Sequence, residues 1–230
     1  NTLDYGKFYI QETTEYMLQS LKVWAELGFS FDVVSTGMIL SAEQAALVSD
    51  FCEQSAKKGA LVFVDPIMGD EGKLYNGVGE ETVAHMRKMV AVADCIVPNY
   101  TEAAYLADMP YHEDMTEEEA RALTIRLHEM GAKSVVVTSA KVDGENCVVG
   151  YDGTEGEFFR IPFDLIPVRF VGTGDIFAAV MLGRLVDGVP LQESTHRAMD
   201  AVRTMIDRNR DKEDKYLGIP IETCLEVLDE

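Results

Sequence analysis

The sequence predicts an α/β protein built on a mostly parallel sheet with helices on both faces. Short, continuously apolar runs, Leu61-Val62-Phe63-Val64 and Val135-Val136-Val137, have the composition of central parallel strands covered on both sides. Longer amphipathic stretches of helical period separate such runs, and this alternation is that of crossover-connected parallel strands. No composition shift, Pro/Ser linker, repeat or low-complexity tract interrupts the 230 residues, so residues 1–230 read as a single domain.

The elements follow in order. The chain opens at Asn1, and residues 5–10 read as a loop. Residues 12–27 predict a helix with Tyr16, Leu18, Leu21, Trp24 and Leu27 along one side, stopped by Gly28. Residues 31–35 form a β-rich run that reaches a turn at Gly37. Ser41 and Gln44 have the spacing of a capping box, opening a helix to about Lys58. The strand at Leu61 ends in Asp65-Pro66, and a helix from about Glu80 to Val92 leads to the strand Cys95-Ile96-Val97-Pro98. The next helix begins around Asn99, and Thr116 with Glu119 caps another that runs to about Met130. The strand at Val135 ends at Thr138-Ser139. Residues 146–151 and 157–161 predict an antiparallel hairpin around the turn between Gly153 and Gly156. Helices from Gly174 and Leu191 lead to a charged, solvated stretch at residues 207–215, and a last helix is expected over residues 221–228.

Charge and composition exclude several partners. Forty acids against twenty bases give a formal charge of −20, unsuited to a nucleic-acid backbone or an anionic membrane. A phosphorylated small molecule is still compatible, because metal ions and backbone amides hold phosphate locally. No apolar run is long enough to span a bilayer, and no signal peptide is visible. Cys52, Cys95, Cys147 and Cys224 are widely scattered without CxxC spacing, as expected of reduced, mostly buried thiols in a cytoplasmic protein. His85, His112, His128 and His196 show no metal-ligand spacing.

The chemically loaded residues stand just after predicted strands, at the edge where parallel sheets bind ligands. The most informative stretch is Gly172-Thr173-Gly174-Asp175, followed by a helical run with Phe177, Val180, Met181, Leu182 and Leu185. A glycine-rich turn opening a helix is an anion site, because unpaired N–H groups and the helix dipole point the same way. A carboxylate beside it, Asp175, is repelled by phosphate unless it has separate work, such as accepting a proton. The loop Asp65-Pro66-Ile67-Met68-Gly69-Asp70-Glu71-Gly72-Lys73-Leu74-Tyr75 suits metal-bound phosphate. Asn99-Tyr100-Thr101-Glu102 is a capping box in its own right, and Glu102 is also a candidate for water-mediated contact with Mg²⁺. The hydroxyls of Thr138 and Ser139 can donate to phosphate oxygens. Each motif alone fits a plain structural reading; their conjunction at one sheet edge is what points to function.

In this order and spacing, Gly172-Thr173-Gly174-Asp175, the Asp65–Asp70 loop, Asn99-x-x-Glu102 and Thr138-Ser139 resemble the ribokinase superfamily. The Gly-Asp-x-Gly-x-Leu-Tyr continuation and Ser41-Ala42-Glu43-Gln44 favour its vitamin B6 branch, the pyridoxal, pyridoxine and pyridoxamine kinases. The resemblance covers essentially the whole chain and implies a ribokinase-like three-layer α-β-α sandwich with a mostly parallel central sheet. It implies ATP-dependent phosphorylation of a hydroxymethyl group on an aromatic ring. Asp175 would be the general base, and the amides of Gly172, Thr173 and Gly174 the anion hole. Asp70 and Glu102 would hold Mg²⁺, with Asp65 supporting the same region. Asn99, Thr138, Ser139 and Thr173 would contact phosphates, and Tyr75 would border the nucleotide. It further implies a cytoplasmic homodimer and leaves K⁺ as an open assistant. No Walker-type GxxxxGK[ST] is present, which argues against a P-loop kinase.

Departures from the pattern bear on the acceptor rather than on phosphoryl transfer. Members of the family begin with a strand and helix that supply ring contacts, which this chain is expected to lack. Thr2 and Leu3 stand where a histidine and a threonine are usual, and Met38 stands where pyridoxal kinases commonly carry a tyrosine. The related hydroxymethylpyrimidine kinases of thiamin synthesis often have Gly-Met there, which keeps them as an alternative. A catalytically silent B6- or nucleotide-binding protein is the alternative from another class, and the intact Asp175 speaks against it.

Overall fold

The computed structural model describes Tyr9 and residues 11–229. Apart from Tyr9, the loop expected at residues 5–10 lies outside the described residues, as do Thr2 and Leu3. The chain packs as two compact units, residues 1–160 and 161–230.

The elements of the first unit, in order, are α1 (Thr14–Glu26), β1 (Val33–Thr36), α2 (Ala42–Ala56), β2 (Leu61–Val64), β3 (Gly69–Asp70), β4 (Lys73–Leu74), α3 (Glu80–Val90), β5 (Cys95–Ile96), α4 (Tyr100–Ala107), α5 (Glu117–Glu129), β6 (Ser134–Val142), β7 (Glu145–Asp152) and β8 (Glu157–Pro162), the last running into the second unit. Six strands form one sheet in the order β1-β2-β5-β6-β7-β8. The pairs β1–β2, β2–β5 and β5–β6 are parallel, whereas β6–β7 is antiparallel. The α/β class and the mostly parallel sheet are as the sequence predicts. Val62, Phe63, Val64, Ile96, Val135, Val136 and Val137 are wholly buried, which is why these runs are apolar at every position rather than at alternate ones.

Three expectations are corrected. The strand from Val135 does not stop at Thr138-Ser139: it passes through an irregularity between Val137 and Ala140 and continues to Val142. There it turns back through Asp143 (φ 50°) and Gly144 (φ 83°), a two-residue hairpin with both central residues left-handed. The helical side of α1 drawn through Tyr16, Leu18, Trp24 and Leu27 is not its buried side, since these residues are 75%, 41%, 37% and 64% exposed. Apart from a polar side at Glu15, Gln19, Lys22 and Glu26, the helix is apolar over much of its circumference, so side-chain type alone does not select the inward face; Thr14 is buried and Met17 packs on the core. At Ser41 only half of the box forms. The serine accepts from the Gln44 amide, but the Gln44 carboxamide accepts from the Leu40 amide and donates to Glu12.

The second unit contains α6 (Thr173–Val186), α7 (Leu191–Asn209) and two 3₁₀ turns, Ile221–Thr223 and Leu225–Asp229. Those turns replace the α-helix expected over residues 221–228. A segment this short, starting after a proline, gains little from helix propagation, and Arg184 takes the Leu228 carbonyl. Phe170, Ile176, Ala201, Met205, Ile219, Cys224 and Val227 form this unit's core.

Candidate active site

The first unit gathers its expected site residues at the C-terminal ends of neighbouring parallel strands. Asp65 follows β2, and its amide donates to the Thr36 carbonyl at the end of β1. Asn99 follows β5 and forms an isolated parallel bridge with Thr138, whose amide donates to the Pro98 carbonyl. The irregularity in β6 puts Ser139 at φ 56°, a left-handed conformation, and leaves it exposed just past Thr138. The bulge lies within β6, where it interrupts the pairing with β7 between Val137 and Ala140.

The loop after β2 is more ordered than its sequence suggests. Gly69-Asp70 and Lys73-Leu74 pair as a small antiparallel hairpin, with Asp70 opposite Lys73. Its turn residues, Glu71 and Gly72, have φ of 52° and 77°, and both being positive matches the twist of a tight hairpin. Gly72 is required for a second reason: a Cβ there would lie 3.1 Å from the ring of Tyr111, which stacks on Tyr100 at a centroid distance of 4.8 Å. Asp70 Oδ1 accepts from the Glu71 amide at 2.9 Å. Tyr75, expected beside a nucleotide, closes the hairpin by donating its amide to the Met68 carbonyl.

The first turn of α4 holds this hairpin. Asn99 and Glu102 make the reciprocal capping box the sequence predicts, with Glu102 N donating to Asn99 Oδ1 at 3.0 Å and Asn99 N to Glu102 Oε2 at 2.9 Å. Both side chains have further work. Glu102 Oε1 accepts from the amides of Met68 (2.9 Å) and Gly69 (3.4 Å), and Asn99 Nδ2 donates to the Gly69 carbonyl at 2.8 Å. Glu102 is only 3% exposed, and burial pushes its carboxyl up to about 8, opposed by the Met68 and Asn99 amides and reinforced by the nearby Asp65 carboxylate. At the far end of α4, Arg87 donates to the carbonyls of Tyr105 and Leu106, so the helix is fixed at both termini.

The fit to Mg²⁺ is partial and specific. Among the described residues, no group of three or more His, Cys, Asp or Glu is arranged to hold a metal by itself. Mg²⁺ needs only one or two carboxylates and keeps several waters. Asp65 and Asp70 supply carboxylates at the strand edge, and the repulsion between Asp65 and Glu102 is of the kind a cation relieves. Because Glu102 already accepts three amide hydrogen bonds on its two oxygens, its contact with a metal would run through water.

The second unit carries the other half of the expected set. Gly172 is the N-cap of α6 at φ 83°, and no side chain caps the helix. Ile176 N donates to the Gly172 carbonyl, so helical bonding starts directly after the turn. Thr173, Gly174 and Asp175 are the first three helical residues, whose N–H groups have no partner within a helix. Asp175 is exposed on this first turn, and its Oδ2 lies 3.6 Å from where a Cβ on Gly172 would stand. The start of α6 thus combines first-turn backbone amides with the Asp175 carboxylate.

Thr101 went unsingled in the sequence. It is 3% exposed, and its Oγ1 accepts from the Gly72 amide at 2.8 Å. The available signal was a hydroxyl inside the first turn of a helix, between Tyr100 and Glu102.

A mostly parallel sheet with acidic and hydroxyl residues at its strand ends, together with an uncapped helix N-terminus beside an aspartate, defines a ribokinase-like α/β protein. Residues 9–218 match the family model described as phosphomethylpyrimidine kinase, and the chain belongs to that family. Within it the likeness runs to the pyridoxal kinases. The pyridoxal kinase of Arabidopsis thaliana is 33% identical over 171 residues, covering 71% of this chain and 53% of the plant protein. The chain thus spans about half the length of the curated relatives it matches. A Bacteroides thetaiotaomicron protein assigned to the phosphomethylpyrimidine kinases and crystallised with pyridoxal superposes with a TM-score of 0.92 at 32% identity, covering 99% of this chain and 81% of that one. The pyridoxal kinase of Lactobacillus plantarum superposes with a TM-score of 0.84 at 27% identity, covering 98% and 81%.

Proposed function

We propose that this chain is the kinase domain of an ATP-dependent enzyme that phosphorylates the hydroxymethyl group of pyridoxal, pyridoxine or pyridoxamine. The observation that carries the reading is the start of α6: a left-handed Gly172, free first-turn amides and Asp175 beside them. The hydroxyl oxygen of the acceptor attacks the γ-phosphorus, a new P–O bond forms, and the bond to the β,γ-bridging oxygen breaks. ADP leaves with that electron pair, and the hydroxyl proton passes to the Asp175 carboxylate. The amides of Gly172, Thr173 and Gly174 stabilise charge on the transferring group, which is most of what phosphoryl transfer asks of a protein. Asn99, Thr138, Ser139 and Thr173 contact phosphate oxygens, and Tyr75 borders the nucleotide. Asp70, and Glu102 through water, would hold Mg²⁺ with Asp65 in support, and the ion would supply neutralisation of the phosphate charge. The enzyme is read as a cytoplasmic homodimer, with K⁺ as an optional assistant.

One feature favours a second acceptor: the family model is that of the phosphomethylpyrimidine kinases, and Met38 follows Gly37 where the B6 branch commonly has tyrosine. ADP formation with pyridoxal, pyridoxamine and the hydroxymethyl aminopyrimidine separates the two. Turnover on the pyrimidine alone overturns the B6 assignment. Asp175→Asn keeps nucleotide binding and lowers turnover at least ~10²-fold, the scale of a lost general base. Undiminished turnover in that variant removes Asp175 from the mechanism.

A further inference from the structure

The grip of α4 on the hairpin has one member that the kinase reading does not use. Asn99 and Glu102 hold the hairpin at Met68 and Gly69, before Asp70; Thr101 holds it beyond, at the Gly72 amide. Asp70 therefore sits between two anchor points that come from a single helical turn. The Tyr111 ring closes the space beside Gly72, so the turn is braced by a side chain as well as by the hydrogen bond.

We propose that Thr101 is a positioning residue for Asp70, acting through the Gly72 amide, an inference that rests on the kinase reading above. A buried hydroxyl that accepts one backbone N–H fixes a two-residue turn at the cost of a single polar atom. Without it the left-handed pair Glu71-Gly72 loses its hydrogen bond to the first turn of α4, and the turn that carries Asp70 is held less tightly against that helix. Catalysis by positioning is steeply sensitive to such loosening.

The test uses the full chain and the variants Thr101→Val, which keeps the shape and removes the acceptor, and Thr101→Ser, which keeps the oxygen. Amide hydrogen exchange of Gly72, measured without nucleotide or metal, is expected to quicken about tenfold in Thr101→Val and to stay near wild type in Thr101→Ser. With Mg-ATP and pyridoxal, kcat is expected to fall about tenfold in the valine variant while the KM for pyridoxal holds, and serine restores it. Thr101→Ala, run alongside, reproduces the valine result if the missing oxygen is the cause. Unchanged Gly72 exchange, unchanged kcat, a loss carried by KM for pyridoxal, or failure of serine to rescue each overturns the role of Thr101. A wild-type chain inert toward all acceptors overturns the kinase reading instead, and the exchange experiment then still decides whether Thr101 holds the hairpin.

Discussion

Gly174→Ala separates a glycine needed by the fold from one needed by a ligand. Gly174 is the second helical residue of α6, and its φ lies outside the left-handed region. No heavy atom lies within 4 Å of a Cβ built on it, so the added methyl meets open space. Alanine is favoured over glycine inside a helix by about 0.5–1 kcal/mol, which for a chain of this size raises Tm by about 1–3 °C. Nothing in the fold therefore asks for glycine there. If the first-turn amides of α6 wrap a phosphoryl group, the methyl intrudes where the ligand's oxygens come closest, and kcat/KM for ATP falls on the order of 10²-fold, as when one oxyanion donor is lost. Thermal unfolding and steady-state ADP formation on the same preparation read both effects. Gly172→Ala is the control with the opposite stability sign: at φ 83° a side chain costs about 1–2 kcal/mol. A stable, fully active Gly174→Ala protein would refute the anion-hole assignment. A destabilised one would show that the glycine serves the fold after all.

Two further substitutions or treatments check other parts of the structure. Glu71 is a non-glycine residue at φ 52° in the Asp70 hairpin turn, so Glu71→Asn is expected to stabilise by about 0.5–1 kcal/mol, seen as a higher Tm; a lower Tm would mean that the Glu71 side-chain contacts outweigh the backbone strain. All four cysteines are free and buried, and burial pushes Cys52 up to about 11 and moves Cys95 and Cys147 upward too. Because the thiolate is the reactive form and lies above these values, Cys52 is ionised to roughly one part in a thousand at pH 8. Ellman's reagent is expected to leave the native protein unlabelled on the minutes scale and to titrate all four thiols in guanidinium; rapid native labelling of Cys52 would contradict its burial.

What was legible in the sequence divides along the range of the interactions involved. The buried strands at Leu61 and Val135 could be read because a parallel strand covered on both faces has no other composition available to it. The boxes at Asn99 and Thr116 could be read because a cap depends on residues three apart. The continuation of β6 to Val142 carried a local signal too, Asp143-Gly144 between alternating residues, but a bulge at Thr138-Ser139 breaks the alternation before it. The inward face of α1 was not legible, since Tyr16, Leu18 and Leu27 are apolar and yet exposed, whereas Trp24 packs on Phe31 and Phe51. Nor was the reach of Glu102. Its capping role follows from spacing, whereas its bonds to Met68 and Gly69 join residues more than thirty positions apart, and nothing in either stretch announces the other.

On the proposed kinase reading, the same residues would let a chain of charge −20 accept a polyanionic nucleotide. A site built from lysines would place mobile cations among many acids, where salt bridges would compete for them. Backbone amides cannot be recruited that way. At α6 they are held by helical bonding that begins directly after Gly172, and their orientation is set before any ligand arrives. In the first unit the acids serve the structure: Glu102 spends both oxygens on amides, and Asn99 and Thr101 complete a frame around Asp70. The acidic loop is thus tied to α4 by several hydrogen bonds on either side of Asp70. A fixed carboxylate can take a divalent cation, and a fixed amide cradle can take a phosphoryl group. On that reading, preorganisation in each unit would stand in for the basic surface that an acidic protein lacks.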